Sequence, residues 1–199
     1  MKALFTAALL SFGIASSTIA SAADENPAAL VKDVTQKVLK KLASDKERLK
    51  SDPNIVNEYV NEFVLPNFDF AYMSQLVLGK YWRKTSAEEK SAFTDEFRTL
   101  LVRTYANSLT NYSDQEVEYL PWRPGADPED TKVGVEIIPA AGPSIPIDYA
   151  LHKVDGKWKV YDVSVDGLSL VTNYRRSFGK KVKNEGVAAL IADLKAKNS

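Results

Sequence analysis

The sequence predicts an α+β domain in which helices pack on a four-stranded antiparallel sheet. Three observations carry this. Apolar residues recur at helical spacing from Pro27 to about Asn111, the period changes to two between Glu116 and Val165, and a helical pattern returns from Leu168 onward. Helices, then a run of strands, then helices again segregate the two kinds of element and leave one face of the sheet to be covered.

Each element has its own signal. Met1 and Lys2 precede an uncharged run from Ala3 to Ile19, and Ala20-Ser21-Ala22 reads as a cleavage site, so residues 1–22 are expected to be a signal peptide and 23–199 a single domain. The run is shorter than the ~20 apolar residues that span a bilayer, and with no Cys in the chain no lipid anchor is expected. Asn26 caps a helix opened by Pro27, with Val31, Val34, Val38 and Leu42 on one face. After a polar break from Ser44 to Ser51, Asp52 and Pro53 repeat the device for Ile55, Val56, Tyr59, Val60 and Phe63, and Pro66 is expected to stop that helix. Asn67 to Leu78 reads as a short apolar helix closed by Gly79. Ser86 with Glu89 forms a capping box for the longest helix, whose buried stripe is Phe93, Phe97, Leu100, Leu101, Tyr105 and Leu109.

The strands follow. Val117 and Tyr119 alternate with glutamates; Val133, Val135 and Ile137 alternate with Lys132, Gly134 and Glu136; Ile145, Ile147, Tyr149 and Leu151 alternate with Pro146, Asp148 and His152. Asp155-Gly156 is a hairpin turn leading to Lys157–Val165, which is apolar on both faces. Two helices, roughly Leu168 to Lys183 and Glu185 to Lys197, complete the pattern.

Composition narrows the function. The chain has 26 basic and 26 acidic residues, a balance that argues against nucleic acid as a partner. Without Cys no disulfide staples the fold, which must rest on its core. His152 is the single histidine, so a His-rich metal site is impossible and a Ser-His-Asp triad would have to form around this residue; alternating with core positions, it is expected to face solvent. No G-x-S-x-G, P-loop or G-x-G-x-x-G occurs. Asp69, Asp148, Asp162 and Asp166 read as capping, turn and solvated residues. No catalytic residue, metal or cofactor is expected. The large apolar side chains exceed what two layers of this size usually need, and either close against one another as core or stand apart around a long apolar ligand.

The segments PNFDFAYMSQLVLGKYWRKTSAEEKSAFTDEFRTLLVRTYANSL and GKWKVYDVSVDGLSLVTNYRRSF resemble the MlaC family, periplasmic lipid shuttles of Gram-negative bacteria also known as toluene-tolerance proteins. The shared features are Pro66 with Asp69 and Phe70, Gly79, Trp82, the Ser-x-x-Glu box with Phe93 and Phe97, Tyr105, and the W-x-V-x-D-V-x-V-x-G run reaching Phe178. The resemblance implies a curved sheet of the NTF2-like or cystatin-like kind enclosing a hydrophobic pocket for phospholipid acyl chains, with the headgroup near the surface. It also implies a periplasmic carrier that maintains outer-membrane lipid asymmetry, with two partners: an outer-membrane lipoprotein–porin complex and an inner-membrane ABC transporter bearing an MCE-domain ring. Transient membrane contact is expected too.

On that basis the tails are expected against Phe70, Met73, Leu76, Val77, Leu101 and Tyr105 from the helices and Val133, Val135, Ile147, Tyr149 and Leu151 from the sheet. Trp82, Arg83, Arg176 and Lys180 are candidates for headgroup or partner contact. Burying each CH₂ contributes ~0.8 kcal/mol, so a 16-carbon chain supplies on the order of 12 kcal/mol before ordering costs. Two other readings stay open: a small-molecule enzyme of NTF2-like fold using Asp69 or Asp148 as a carboxylate of raised pKa, and a protein-interaction module with a closed core.

Overall fold

Asn26 opens the first helix as its side chain predicts, its carbonyl oxygen accepting from the backbone N–H groups of Ala28 and Ala29 at 2.9 and 3.3 Å. The structure, a computed structural model, describes residues 26–52, 54–110 and 115–199. The expected signal peptide, Pro53 and the helix end at Asn111 lie outside these residues.

Helix α1 is Pro27–Ser44. The expected polar break is a short helix of its own, α2 (Lys46–Ser51), with no buried residue and with ion pairs Arg48–Asp45 and Lys50–Glu47 along its surface. Helix α3 (Ile55–Tyr59) buries Ile55, Val56 and Tyr59 and then widens into a π turn, Val60–Val64, followed by a 3₁₀ turn, Leu65–Asn67. Pro66 therefore lies within the 3₁₀ turn, and the α-helix gives way six residues before it. The Leu65 N–H donates to the Val60 carbonyl five residues back, and Pro66 has no N–H with which to continue the ladder.

Helix α4 (Phe70–Leu78) starts later than Asn67 because Asp69 is its cap, accepting from the Tyr72 N–H at 2.8 Å. Gly79, with φ +54°, ends it where an L side chain is disfavoured. A 3₁₀ segment (Gly79–Lys84) leads to helix α5 (Ala87–Thr110), and both bonds of the capping box are made: Ser86 N–H to Glu89 at 3.1 Å and Glu89 N–H to Ser86 Oγ at 3.2 Å.

Among the described residues five strands, not four, form the sheet: β1 (Glu116–Tyr119), β2 (Asp130–Ile138), β3 (Ile145–Val154), β4 (Lys157–Val165) and β5 (Leu168–Ser169), in sequential antiparallel order. The fifth strand has two residues, too few for a visible alternation. It exists because Asp166 and Gly167, at φ +50° and +74°, form a two-residue turn that folds the chain back onto Ser164 and Val165. The two expected C-terminal helices are both present within Leu170–Asn198, together called α6, and Gly186 separates them with non-helical φ +87° and ψ 173°.

The register explains the last long strand. Ala150 pairs with Asp162 but Leu151 pairs with Val160, so a bulge skips Tyr161. One extra residue inverts the alternation, which puts Trp158 and Val160 on the same packed face as Val163, and Val160, Val163 and Val165 on one side of the strand.

Three separate apolar clusters result. One joins α4, the first half of α5 and α6 around Phe93, Phe97 and Leu194; a second joins α1, α3 and the second half of α5 around Val38, Val56 and Ala106; a third lies on the sheet around Val133, Leu151 and Trp158, with Val31 of α1. Among the described residues no helix is long and apolar enough to cross a membrane.

Candidate functional site

The three clusters do not close on one another. Between them lies a cavity of about 340 Å³, more than twice the ~150 Å³ of an apolar cavity that stays dry and admits benzene. Its walls are α1 (Leu30, Val31, Val34, Val38), the π and 3₁₀ turns (Val60, Val64, Leu65) with Phe68 just after them, the second half of α5 (Leu101, Tyr105, Ala106, Leu109), the sheet (Val117, Val135, Ile137, Ile147, Tyr149, Val160, Val163, Val165) and Leu170. Phe70 and Met73 at the start of α4 complete the lining. No charged side chain and no histidine is among the lining residues; Thr35, Asn67, Tyr105 and Tyr149 are the polar ones.

Helix α5 serves two purposes along one stripe. Phe93 and Phe97 stack in its first half, with ring centres 5.7 Å apart, and fill the space between α4 and α6. Leu101, Tyr105 and Leu109, further along the helix, face the void. Burial, with a smaller effect from Tyr119, pushes the Tyr149 phenol up to about 12, so this group is neutral throughout the physiological range. A folded-state pKa above the ordinary 10.0 makes the contribution of Tyr149 full below pH 10 and lost as pH rises toward 12. Unfolding followed across pH 8 to 12 should show this loss, and Tyr149→Phe should lessen it.

Of the residues singled out in the sequence, Phe70, Met73, Leu101, Tyr105, Val135, Ile147 and Tyr149 line the cavity. Leu76, Val77, Val133 and Leu151 do not. Leu76 and Val77 turn toward Phe93 and α6, because α4 presents that part of its surface to the aromatic cluster. Val133 and Leu151 belong to the cluster under the far end of the sheet, which Trp158 fills. Trp82, Arg83, Arg176 and Lys180 do not border the cavity either: Trp82 packs on the aromatic cluster beneath the Lys90 ammonium, 5.3 Å from its ring centre, while Arg83, Arg176 and Lys180 are exposed. The contribution of α1 was not anticipated. Its stripe of valines with Leu30 and Leu39 is wider than one contact needs, and that width was the available signal.

His152 does not face solvent. Its Nε2 lies 3.0 Å from Asp69 Oδ2, and its ring stacks on Tyr72 with centres 4.6 Å apart. The pair ties α4 to β3, an arrangement assembled across 83 residues of sequence that no local pattern announces. Asp162 holds the start of α6, accepting from the Val171 N–H at 3.0 Å and from the Ser169 hydroxyl. Asp148 is exposed on the sheet. No group of three or more His, Cys, Asp or Glu among the described residues is placed to hold a metal ion.

The sequence profile of the MlaC protein family matches residues 32–196. The chain belongs to the MlaC family. Among MlaC relatives, the intermembrane phospholipid transport system binding protein MlaC of Haemophilus influenzae is 28% identical over 175 residues, covering 86% of this chain and 82% of that protein. The toluene tolerance protein ttg2D of Pseudomonas putida is 28% identical over 174 residues, covering 87% and 80%. A phospholipid-binding protein from Ralstonia solanacearum, solved in complex with a phospholipid, superposes with a TM-score of 0.78 at 32% identity over 85% of this chain and 95% of its own.

Proposed function

We propose that this protein is a phospholipid carrier that holds acyl chains in the cavity between α1, α5 and the sheet. The observation that carries the reading is the lining: an apolar void bordered by all three clusters, without a charged group that would require water. Such walls recognise a hydrocarbon chain by excluding water from it and need no directional bond. Family membership and the lipid-bound Ralstonia structure point the same way.

The residues proposed to touch the tails are Phe70, Met73, Leu101, Tyr105, Val135, Ile147 and Tyr149, with Val31, Val34 and Val38 added from α1. Met73, unbranched and polarizable, suits a wall that must follow a flexible chain. The reading includes no catalytic step. An acid–base enzyme needs a carboxylate or histidine in the cavity, and Asp69, Asp148 and His152 are not among its lining residues.

The finer account follows the family. The chain is taken to be exported by residues 1–22 into the periplasm, where residues 23–199 shuttle lipid between an outer-membrane lipoprotein–porin complex and an inner-membrane ABC transporter with an MCE-domain ring. A cargo held by gross burial of this size leaves slowly, so delivery requires a partner that offers the tails an equally apolar path. The exposed cations Arg83, Arg176 and Lys180 are available for such a contact.

The test is chemical. Protein purified without detergent, extracted with organic solvent and analysed by mass spectrometry should yield phospholipid at near-stoichiometric level. An empty extract, together with no uptake from phospholipid vesicles, would contradict the carrier reading.

A further inference from the structure

A second groove adjoins the apolar cavity. It has a volume of about 600 Å³ and runs between the middle of α5 and the stretch from α3 through the π turn to Pro66. Leu65 and Val102 line both spaces, so the two meet at these side chains. The chemistry changes across that boundary. The cavity has no charged side chain, whereas the groove is bordered by Arg98, Arg103, Asn57 and Asn61 and by no carboxylate. On α5 the two arginines flank Thr99 and Val102, since five residues carry a helix of 3.6 residues per turn about 140° round its axis.

The donors of this groove are under-used. Asn57 on α3 and Asn61 in the π turn make no side-chain hydrogen bond to another described residue. The π turn itself keeps Leu65 on their side of the chain, and such turns are rare and frequent at functional sites. Arg98 reaches Asp95, three residues back, at 3.1 Å, a pair exposed on both sides and therefore weak. Arg103 donates from Nη1 to the Asn198 carbonyl at the end of α6. A guanidinium has five N–H donors, so each arginine keeps several for another acceptor. Of the neighbouring carboxylates, Asp95 holds Arg98 and Glu96 holds the Asn198 amide; neither lines the groove.

We propose that this groove is a binding site for a phosphate group, held outside the apolar cavity by Arg98 and Arg103 from one wall and by the amides of Asn57 and Asn61 from the other. The planar fork of an arginine matches two phosphate oxygens at once, and a charge-assisted bond of this kind is about twice as strong as a neutral one. A tetrahedral anion presents acceptors in several directions and so takes donors from two facing walls. A planar carboxylate presents them in one plane. The source of the phosphate rests on the carrier reading: a phospholipid whose tails lie beyond Leu65 and Val102 would place its phosphodiester here. A free phosphate offers the same chemistry to the same donors.

Two measurements on the protein loaded from phosphatidylglycerol vesicles test the site. The first is the phosphorus-31 resonance of the bound lipid, which should move in Arg98→Gln and in Asn61→Asp while the lipid content stays the same; that result makes the ligand the headgroup of the cargo. The second is a titration with inorganic phosphate that follows the Nε–H resonances of Arg98 and Arg103. Saturable shifts that sodium chloride at equal ionic strength does not reproduce, weakened about tenfold in either variant, make the ligand a free phosphate. Both substituted side chains are exposed, so the variants should fold. Lys157→Gln, which removes an exposed cation at the Asp155-Gly156 hairpin, should change neither signal. The proposal is overturned if the lipid resonance is the same in every variant and phosphate shifts neither arginine. It is overturned equally if sodium chloride reproduces the shifts with the lipid resonance unmoved, or if Lys157→Gln acts as Arg98→Gln does. An empty lipid extract would remove the carrier reading, and the phosphate titration would then decide the site alone.

Discussion

Ile147→Glu is expected to give a folded protein that has lost its lipid. Ile147 pairs with Val135 on one side and Val165 on the other, and all three line the cavity, so the new carboxylate would project among acyl tails. An unpaired charge in an apolar enclosure costs several kcal/mol, which the protein avoids by admitting water and releasing the tails. The void makes that escape available. Lipid content by mass spectrometry and thermal unfolding separate the outcomes: global unfolding would mean that Ile147 is packed core, and retained lipid would mean that its strand does not face the cargo.

Phe97→Ala should do the reverse. Phe97 is fully buried, stacked on Phe93 and met edge-on by Tyr174 and Phe178 at 5.2 and 6.2 Å between ring centres. Removing a phenyl ring from such a site costs about 3–5 kcal/mol, equivalent to a midpoint lower by roughly 10 °C in a chain of this size. The position is one helical turn from Leu101 and shares its cluster with α4 and α6, but unlike Leu101 it does not line the cavity. The folded fraction should keep its full complement of lipid. A loss of lipid at unchanged stability would place the cargo among the aromatic residues.

The two substitutions mark what the sequence could and could not reveal. The capping of α1 and the long helix, the alternation of β2 and β3 and the Asp155-Gly156 turn depend on neighbours in the chain, and each is legible from a few adjacent residues. The bulge at Tyr161, the two-residue β5 and the π turn before Pro66 depend on pairing across strands or on one missing donor, and alter no local pattern enough to be read in advance. At the site, periodicity marked Phe93, Phe97, Leu101 and Tyr105 as one stripe. Only packing distributes them: Phe93, Phe97 and Leu101 share one cluster, and Leu101 and Tyr105 border the void. The same limit applies to Leu76 and Val77, which share α4 and a cluster with Met73 but do not reach the cavity as Met73 does, and to His152, whose contact with Asp69 is a tertiary event.

The location of the tails decides the account most directly. The protein, loaded from vesicles with a phospholipid carrying a photoactivatable diazirine at the end of one acyl chain, would be irradiated, digested and sequenced by mass spectrometry. Label is expected on peptides containing the cavity-lining residues of α1, β2, β3 and the second half of α5. Label confined to the Phe93–Phe97 cluster, or spread over the basic surface of α6, would contradict it.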